Sequence, residues 1–132
     1  MGGQGNRELE AMKILLVEDS DDIRDAFCGL LRAEGAEVVA VAEGNAAVSA
    51  AVGEDFDILL TDYGLPDIPG DLVIRQVLTG ARRRPRVVVV TGYGEPYAGR
   101  ARKAGADLVL TKPVGWPDLL KHLRPTDRRI AA

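Results

Sequence analysis

The chain has 132 residues, 46% of them hydrophobic and 28% charged, which suits one globular domain with its own core and leaves no room for two. Seventeen basic residues against twenty acidic ones give a formal net charge of −3, which disfavours nucleic acid as a direct partner because phosphate binding needs a positive field. The lone cysteine, Cys28, excludes an internal disulfide and suits a small buried hydrophobe in a reducing cytosol, and no apolar run is long enough to span a membrane.

The first twelve residues, MGGQGNRELEAM, lack the apolar stretch of a signal peptide. They read as a loose extension over residues 1–11, with a short helical piece at Asn6–Met12. Lys13–Val17 is a buried strand that runs into Glu18 and Asp19. Ser20 or Asp21 can cap the helix that follows, which turns Ile23, Phe27, Leu30 and Leu31 to one face and stops at Gly35. Glu37–Ala42 is the second strand, and a small alanine-rich helix runs from Gly44 to about Val52. Ile58, Leu59 and Leu60 show no polar alternation, as expected of a strand buried on both faces of a parallel sheet, and that strand ends at Asp62. Pro66, Pro69 and Gly70 make a turn before a helix over Asp71–Thr79, with Leu72, Val73, Val77 and Leu78 apolar. Arg86–Val90 is an all-β-branched strand leading into Thr91. The fourth helix lies within Glu95–Ala104 and is short, because it carries Pro96 and Gly99. Asp107–Leu110 leads into Lys112 and Pro113, and Pro117 starts a last helix that ends at Arg124, with Leu119, Leu120 and Leu123 inward.

Five strands alternating with five helices imply right-handed crossovers and a parallel sheet covered on both faces, and the fold expected is a doubly wound sheet of strand order 2-1-3-4-5. In that order the strand ends gather Glu18, Asp19 and Asp62 in one crevice, with Thr91 and Lys112 across from Asp62. Carboxylates that close repel, so one keeps its proton or a cation neutralises them. An all-oxygen acidic site suits Mg²⁺ or Mn²⁺. The loop after the first strand is acidic, not glycine-rich, which excludes a flavin or nucleotide cradle. An ammonium and a hydroxyl opposite Asp62 are what a phosphoryl group's oxygens need while Asp62 attacks phosphorus.

These residues resemble a two-component response regulator receiver domain, of the chemotaxis-regulator kind, over about Met12 to Arg124. The resemblance rests on Glu18-Asp19, the run D-Y-G-L-P from Asp62 with Gly70 beyond, Val89–Thr91, and Lys112-Pro113. It implies a flavodoxin-like (βα)5 three-layer sandwich over residues 12–124, with residues 125–132 as a tail. It implies that Asp62 accepts a phosphoryl group from a sensor histidine kinase or a histidine phosphotransfer protein. It also implies that Asp19, Asp62 and the Gly64 carbonyl bind Mg²⁺ directly, and Glu18 through water. Lys112 would pair with the phosphoryl group, Thr91 would swing in to hydrogen-bond it, and the Lys112–Pro113 peptide would be cis. The readout face would be about Gly94–Arg124, meeting a downstream protein that the sequence does not name.

One departure stands out. Receivers usually carry an aromatic residue three positions before the lysine that Lys112 matches, and here that position is Val109. Tyr93 or Tyr97 is expected to take over its reporting role beside Thr91. The neighbouring residues have plainer roles. Ser20–Asp22 are helix caps, Arg82–Arg84 and Arg86 a solvated loop at the far edge of the sheet, His122 a helix-face residue and Trp116 an anchor for the last helix. The chain is therefore expected to be a cytoplasmic signalling module with autophosphatase activity but no substrate turnover, free-standing or cut from a hybrid kinase. Two other classes compete: a Mg²⁺-dependent small phosphohydrolase, and an interaction domain with a vestigial site. The first would need a general acid or base and a cap, for which the sequence offers no residues. The intact acidic set argues against the second.

Overall fold

The structure is a computed structural model and describes residues 7–92 and 94–125. Its elements run β1 (Lys13–Val17), α1 (Asp21–Ala33), β2 (Glu37–Val41), α2 (Gly44–Gly53) and β3 (Ile58–Asp62), then α3 (Gly70–Gly80), β4 (Arg86–Thr91), α4 (Tyr97–Ala104), β5 (Leu108–Thr111) and α5 (Trp116–Leu123). All four strand pairings are parallel and the order is β2-β1-β3-β4-β5. This is the alternation and order that the sequence predicts.

Strand pleating sorts the apolar residues into two cores. Leu15, Val17, Leu59, Val87 and Val89 point to one face, where they meet Ala47 and Ala51 of α2, Val73, Ile74 and Val77 of α3, and Ala101 and Ala104 of α4. Ile14, Leu16, Ile58, Leu60 and Val88 point to the other, against Cys28 and Leu31 of α1 and Leu119 and Leu123 of α5. Central strands that must be apolar on both sides explain the unbroken Ile-Leu-Leu and Val-Val-Val runs.

The register is pinned at the edge where strands begin. Asp57 accepts the Lys13 amide at 2.7 Å while its own amide donates to the Lys13 carbonyl at 2.8 Å. Asp107 repeats the arrangement with Val87, at 2.7 and 2.8 Å. The arginine-rich loop serves this edge. Arg83 pairs with Asp57 and Arg84 with Asp107, both at 2.9 Å, and Arg82 reaches Asp55 at 3.0 Å. These pairs are solvated and each adds little stability.

Ser20 caps α1, its hydroxyl accepting the Ile23 amide at 3.4 Å, and Gly35 ends the helix region at φ +95°, where a side chain would be strained. Helix faces differ in detail from the sequence expectation. On α1 the buried residues are Cys28 and Leu31, while Ile23 and Leu30 are 41% and 38% exposed. On α3, Ile74 is fully buried and Leu72 is 37% exposed. A helix lying across a twisted sheet presents a narrower stripe than its full apolar arc.

The N-terminal expectation needs a larger correction. Glu8–Ala11 form a turn, not a helix, and Asn6 lies outside the described residues. Nor are residues 7–11 a loose extension. Leu9 is fully buried in the α1/α5 core, and its amide donates to the Glu34 carbonyl at 2.9 Å. Glu8 pairs with Arg124 at 2.9 Å, joining this turn to the end of α5. A single buried leucine among charged neighbours has no periodicity, so no pattern in the sequence marks it. Leu9→Ala should lower the unfolding free energy by about 2–5 kcal/mol in urea titration. A loss below about 0.5 kcal/mol would mean that the turn is not part of the core.

Candidate functional site

Every residue singled out at the carboxyl edge of the sheet sits at or just beyond a strand end. Glu18 follows β1, Asp62 ends β3, Thr91 ends β4 and Lys112 follows β5. Pairing of β1 with β3 brings Val17 beside Thr61, so the residues after each meet. Ligand oxygens of Glu18, Asp19 and Asp62 lie within 4.8 Å of one another. Glu18 is buried, Asp62 half-buried and Asp19 exposed, so the notch has a closed floor and an open mouth. Three hard oxygen donors in that spacing, one already short of water, fit a small divalent cation that keeps some waters.

Lys112 Nζ reaches Asp62 Oδ2 at 3.1 Å, and the Gly64 amide donates to Asp62 Oδ1 at 3.2 Å. The two Asp62 oxygens are thus held apart by donors on different loops, which fixes how the carboxylate faces solvent. Thr91 is fully buried, and its carbonyl accepts the Lys112 amide at 2.7 Å. That bond ties the lysine-bearing loop to the end of β4. The Lys112–Pro113 peptide is cis, as the resemblance implies. Beside the notch an apolar hollow of about 350 Å³ opens between Ile23 and Phe27 of α1 and Pro113 and Val114. Ile23 lines this hollow, which accounts for its exposure. Phe27 stands against Trp116, with ring centroids 6.4 Å apart, so Trp116 does anchor the start of α5.

The floor residue carries the electrostatic strain. Burial pushes the Glu18 carboxyl up from its ordinary range and nearby Asp62 adds to the push, while the Ser20 amide, at 3.0 Å from Oε2, and Lys112 oppose it. Arg24 does not relieve the floor, since its guanidinium donates to the Glu18 main-chain carbonyl at 2.9 Å and to Asp21 at 2.6 Å.

Three other expectations meet mixed outcomes. Val109 is packed among the β-branched residues of the α2/α3/α4 core, so it contributes volume and no polar reach. Tyr93 lies outside the described residues. Tyr97 is 37% exposed at the start of α4, and its ring meets Tyr63 edge-on at a centroid distance of 5.5 Å. Tyr63 was not marked as functional from the sequence. Only 7% exposed, it follows Asp62 directly and packs into the core shared by α2, α3 and α4. Burial first, then the negative charge of nearby Asp71, raise its hydroxyl above the usual phenol range, with Arg100 opposing them. The alternation of acid and aromatic at the strand end was the available signal. His122 is exposed on α5 and lends its carbonyl to Arg86, so it plays no part in the notch.

The loop between β3 and α3 is also tied across the molecule. Asp67 accepts the Asn45 amide at 2.7 Å and the Gly44 amide at 2.8 Å, which holds its carboxyl below the usual range and caps α2 from outside. Gly70 is required by close approach. A Cβ there would lie 2.7 Å from the Tyr63 Cα, and the Gly70 amide donates to the Tyr63 carbonyl at 2.9 Å.

The raised Glu18 carboxyl has a measurable sign. The folded state holds that proton at pH values where the unfolded chain has lost it, so its contribution favours folding below the ordinary carboxylate range. That contribution is lost as pH rises through the raised folded value. In EDTA, urea unfolding of Glu18→Gln should therefore lack the fall in stability with rising pH that the wild type shows in that window. Equal slopes for the two proteins would contradict the assignment.

Comparison with known proteins agrees with this arrangement. The family described as Response regulator receiver domain matches residues 14–124. The transcriptional regulatory protein CutR of Streptomyces coelicolor is 32% identical over 120 residues, covering 89% of this chain and 54% of its own. The response regulator protein PmrA of Pseudomonas aeruginosa is 36% identical over 120 residues, covering 89% and 53%. The chain thus spans about half the length of the curated relatives it matches. Among solved structures, a CheY-like receiver domain from Methanospirillum hungatei is 31% identical with a TM-score of 0.80, covering 84% of this chain and 89% of that one. The receiver domain of a Pseudomonas aeruginosa sensor histidine kinase, described with a magnesium ion coordinated in its active site cleft, is 28% identical with a TM-score of 0.77, covering 92% and 98%. With its parallel sheet in the order β2-β1-β3-β4-β5 and its acids and lysine at the strand ends, the chain belongs to the response regulator receiver domain family.

Proposed function

We propose that Asp62 is the phosphoacceptor of a two-component relay, taking its phosphoryl group from the phosphohistidine of a sensor kinase or a histidine phosphotransfer protein. The observation that carries this is the single carboxylate set between a cation and two further acids: Asp62 against Lys112 at 3.1 Å, with Glu18 and Asp19 within 4.8 Å. An Asp62 oxygen attacks phosphorus, the phosphorus–nitrogen bond of the donor breaks as the oxygen–phosphorus bond forms, and the electron pair returns to the imidazole, which takes up a proton.

Glu18, Asp19, Asp62 and the Gly64 carbonyl would hold Mg²⁺, or Mn²⁺ in its place, with Glu18 acting through water. Bound there, the ion would supply positive charge to the phosphoryl oxygens. Lys112 leaves its pairing with Asp62 Oδ2 for a phosphoryl oxygen, and Thr91 turns its hydroxyl toward another. Phosphorylation then replaces one carboxylate charge by about −1.5 to −2. The surface of α4, β5 and α5 passes the result to a downstream protein.

The domain would act in the cytoplasm, and no helix among the described residues is long and apolar enough to cross a membrane. Whether free-standing or part of a longer regulator, its role is signalling, not turnover of a substrate. A steady-state assay on a generic phosphate ester separates this reading from a phosphohydrolase, which should turn the ester over where a receiver does not.

Incubation with acetyl phosphate and Mg²⁺ should add the mass of one phosphoryl group to the wild type and none to Asp62→Asn. Lys112→Ala should phosphorylate roughly 10²-fold more slowly. Addition of the same mass to Asp62→Asn would move the acceptor elsewhere. Omission of the divalent ion should abolish the gain in the wild type, and an undiminished gain in EDTA would remove the metal from the reading.

A further inference from the structure

Helix α1 begins with Asp21 and Asp22, and acids suit the positive end of a helix dipole. Arg24, the fourth residue of the helix, does not, because a cation is disfavoured at that end. Nor does it stand out in water, since its side chain is only 19% exposed. Its guanidinium faces back toward the end of β1. One Nη donates to the Glu18 main-chain carbonyl at 2.9 Å and the other to Asp21 Oδ1 at 2.6 Å. An i,i+3 ion pair on a helix adds little stability by itself. The bond to the Glu18 carbonyl is therefore the contact that accounts for the placement.

That carbonyl belongs to the peptide joining Glu18 to Asp19, the two acids that β1 delivers to the notch. The residue is fastened at two further points. The Glu18 amide donates to the Val41 carbonyl at 3.0 Å, which carries the β1–β2 pairing one residue past the strand. The Ser20 amide donates to Glu18 Oε2 at 3.0 Å, which fixes the side chain. The Arg24 bond sets the plane of the peptide that leads on into Asp19. Asp19 is exposed at the mouth of the notch, and rotation of that plane would swing its carboxylate away from the 4.8 Å cluster.

We propose that Arg24 is a positioning residue for the divalent cation: by holding the Glu18 carbonyl, it sets where Asp19 presents its oxygens. This deepens the phosphoacceptor reading and rests on it. Charge and position make opposite demands here. A guanidinium near a cation site repels the ion, so by charge alone its removal tightens metal binding. If Arg24 acts by position, its removal loosens binding. Its planar fork is what lets one side chain grip the carbonyl and Asp21 together.

The test is Mn²⁺ binding to the full chain, read from the electron paramagnetic resonance signal of the free ion, with urea unfolding followed on the same samples. Arg24→Met keeps the apolar stem and removes every donor, and Arg24→Gln keeps a donor for one acceptor. The dissociation constant should rise about tenfold or more in Arg24→Met, with Arg24→Gln between it and the wild type. Unchanged or tighter binding in Arg24→Met would overturn the proposal. So would a lowered unfolding midpoint with an unchanged dissociation constant, which is the result of a merely structural role. A wild type that binds no Mn²⁺ and gains no phosphoryl mass from acetyl phosphate would instead overturn the phosphoacceptor reading beneath it, and this proposal with it.

Discussion

Mutual repulsion of three carboxylates at the carboxyl edge of the sheet is the constraint on which the site depends. Glu18, Asp19 and Asp62 are brought within 4.8 Å because β1 and β3 are neighbours in a parallel sheet and both end in acid. Lys112 offsets one of these charges at 3.1 Å, while burial first, and Asp62 beside it, make Glu18 hold its proton more tightly than an exposed carboxyl would. A folded protein that keeps such a cluster gives up stability that apolar residues would supply. The cluster makes physical sense as a site that receives positive charge, and then a phosphoryl group.

The surroundings of the notch fix how Asp62 is presented. The Gly64 amide and Lys112 grip the two carboxylate oxygens from separate loops. Asp67 ties the β3–α3 loop to α2, and Gly70 presses against the Tyr63 backbone. On the far side of the strand, α4 rests on alanines and on the Tyr63 side chain.

The N-terminal turn and the arginine loop show how charge-rich stretches are used away from the site. The arginines of 82–84 pair with Asp55, Asp57 and Asp107, two of which close the register of β1 and β4. Glu8 and Arg124 join the first and last described segments over the buried Leu9. In neither place does the charge gather into a field of one sign.

Most of the fold was legible because its signals are local. Apolar runs bounded by acids, glycines and prolines marked the five strands and five helices, and the chain order of Glu18-Asp19, Asp62, Thr91 and Lys112 placed them at strand ends. Alternation of strands and helices marked a parallel doubly wound sheet, and the order 2-1-3-4-5 gathers them. Legibility failed where a residue's role depends on what packs against it. Leu9 is a lone leucine until α1 and α5 close over it, and Ile23, Leu30 and Leu72 share the periodicity of their buried neighbours yet fall outside the stripe that the twisted sheet covers. Tyr63 is an aromatic residue after an acid until α4 brings Tyr97 edge-on against its ring. The amino-acid sequence by itself determined the elements, their order and the acids and cation of the site, because secondary structure and strand-end chemistry are written in neighbouring residues. Only the tertiary structure decided which side chains are buried and which helix the acceptor strand reaches, because burial and contact are properties of segments far apart in the chain.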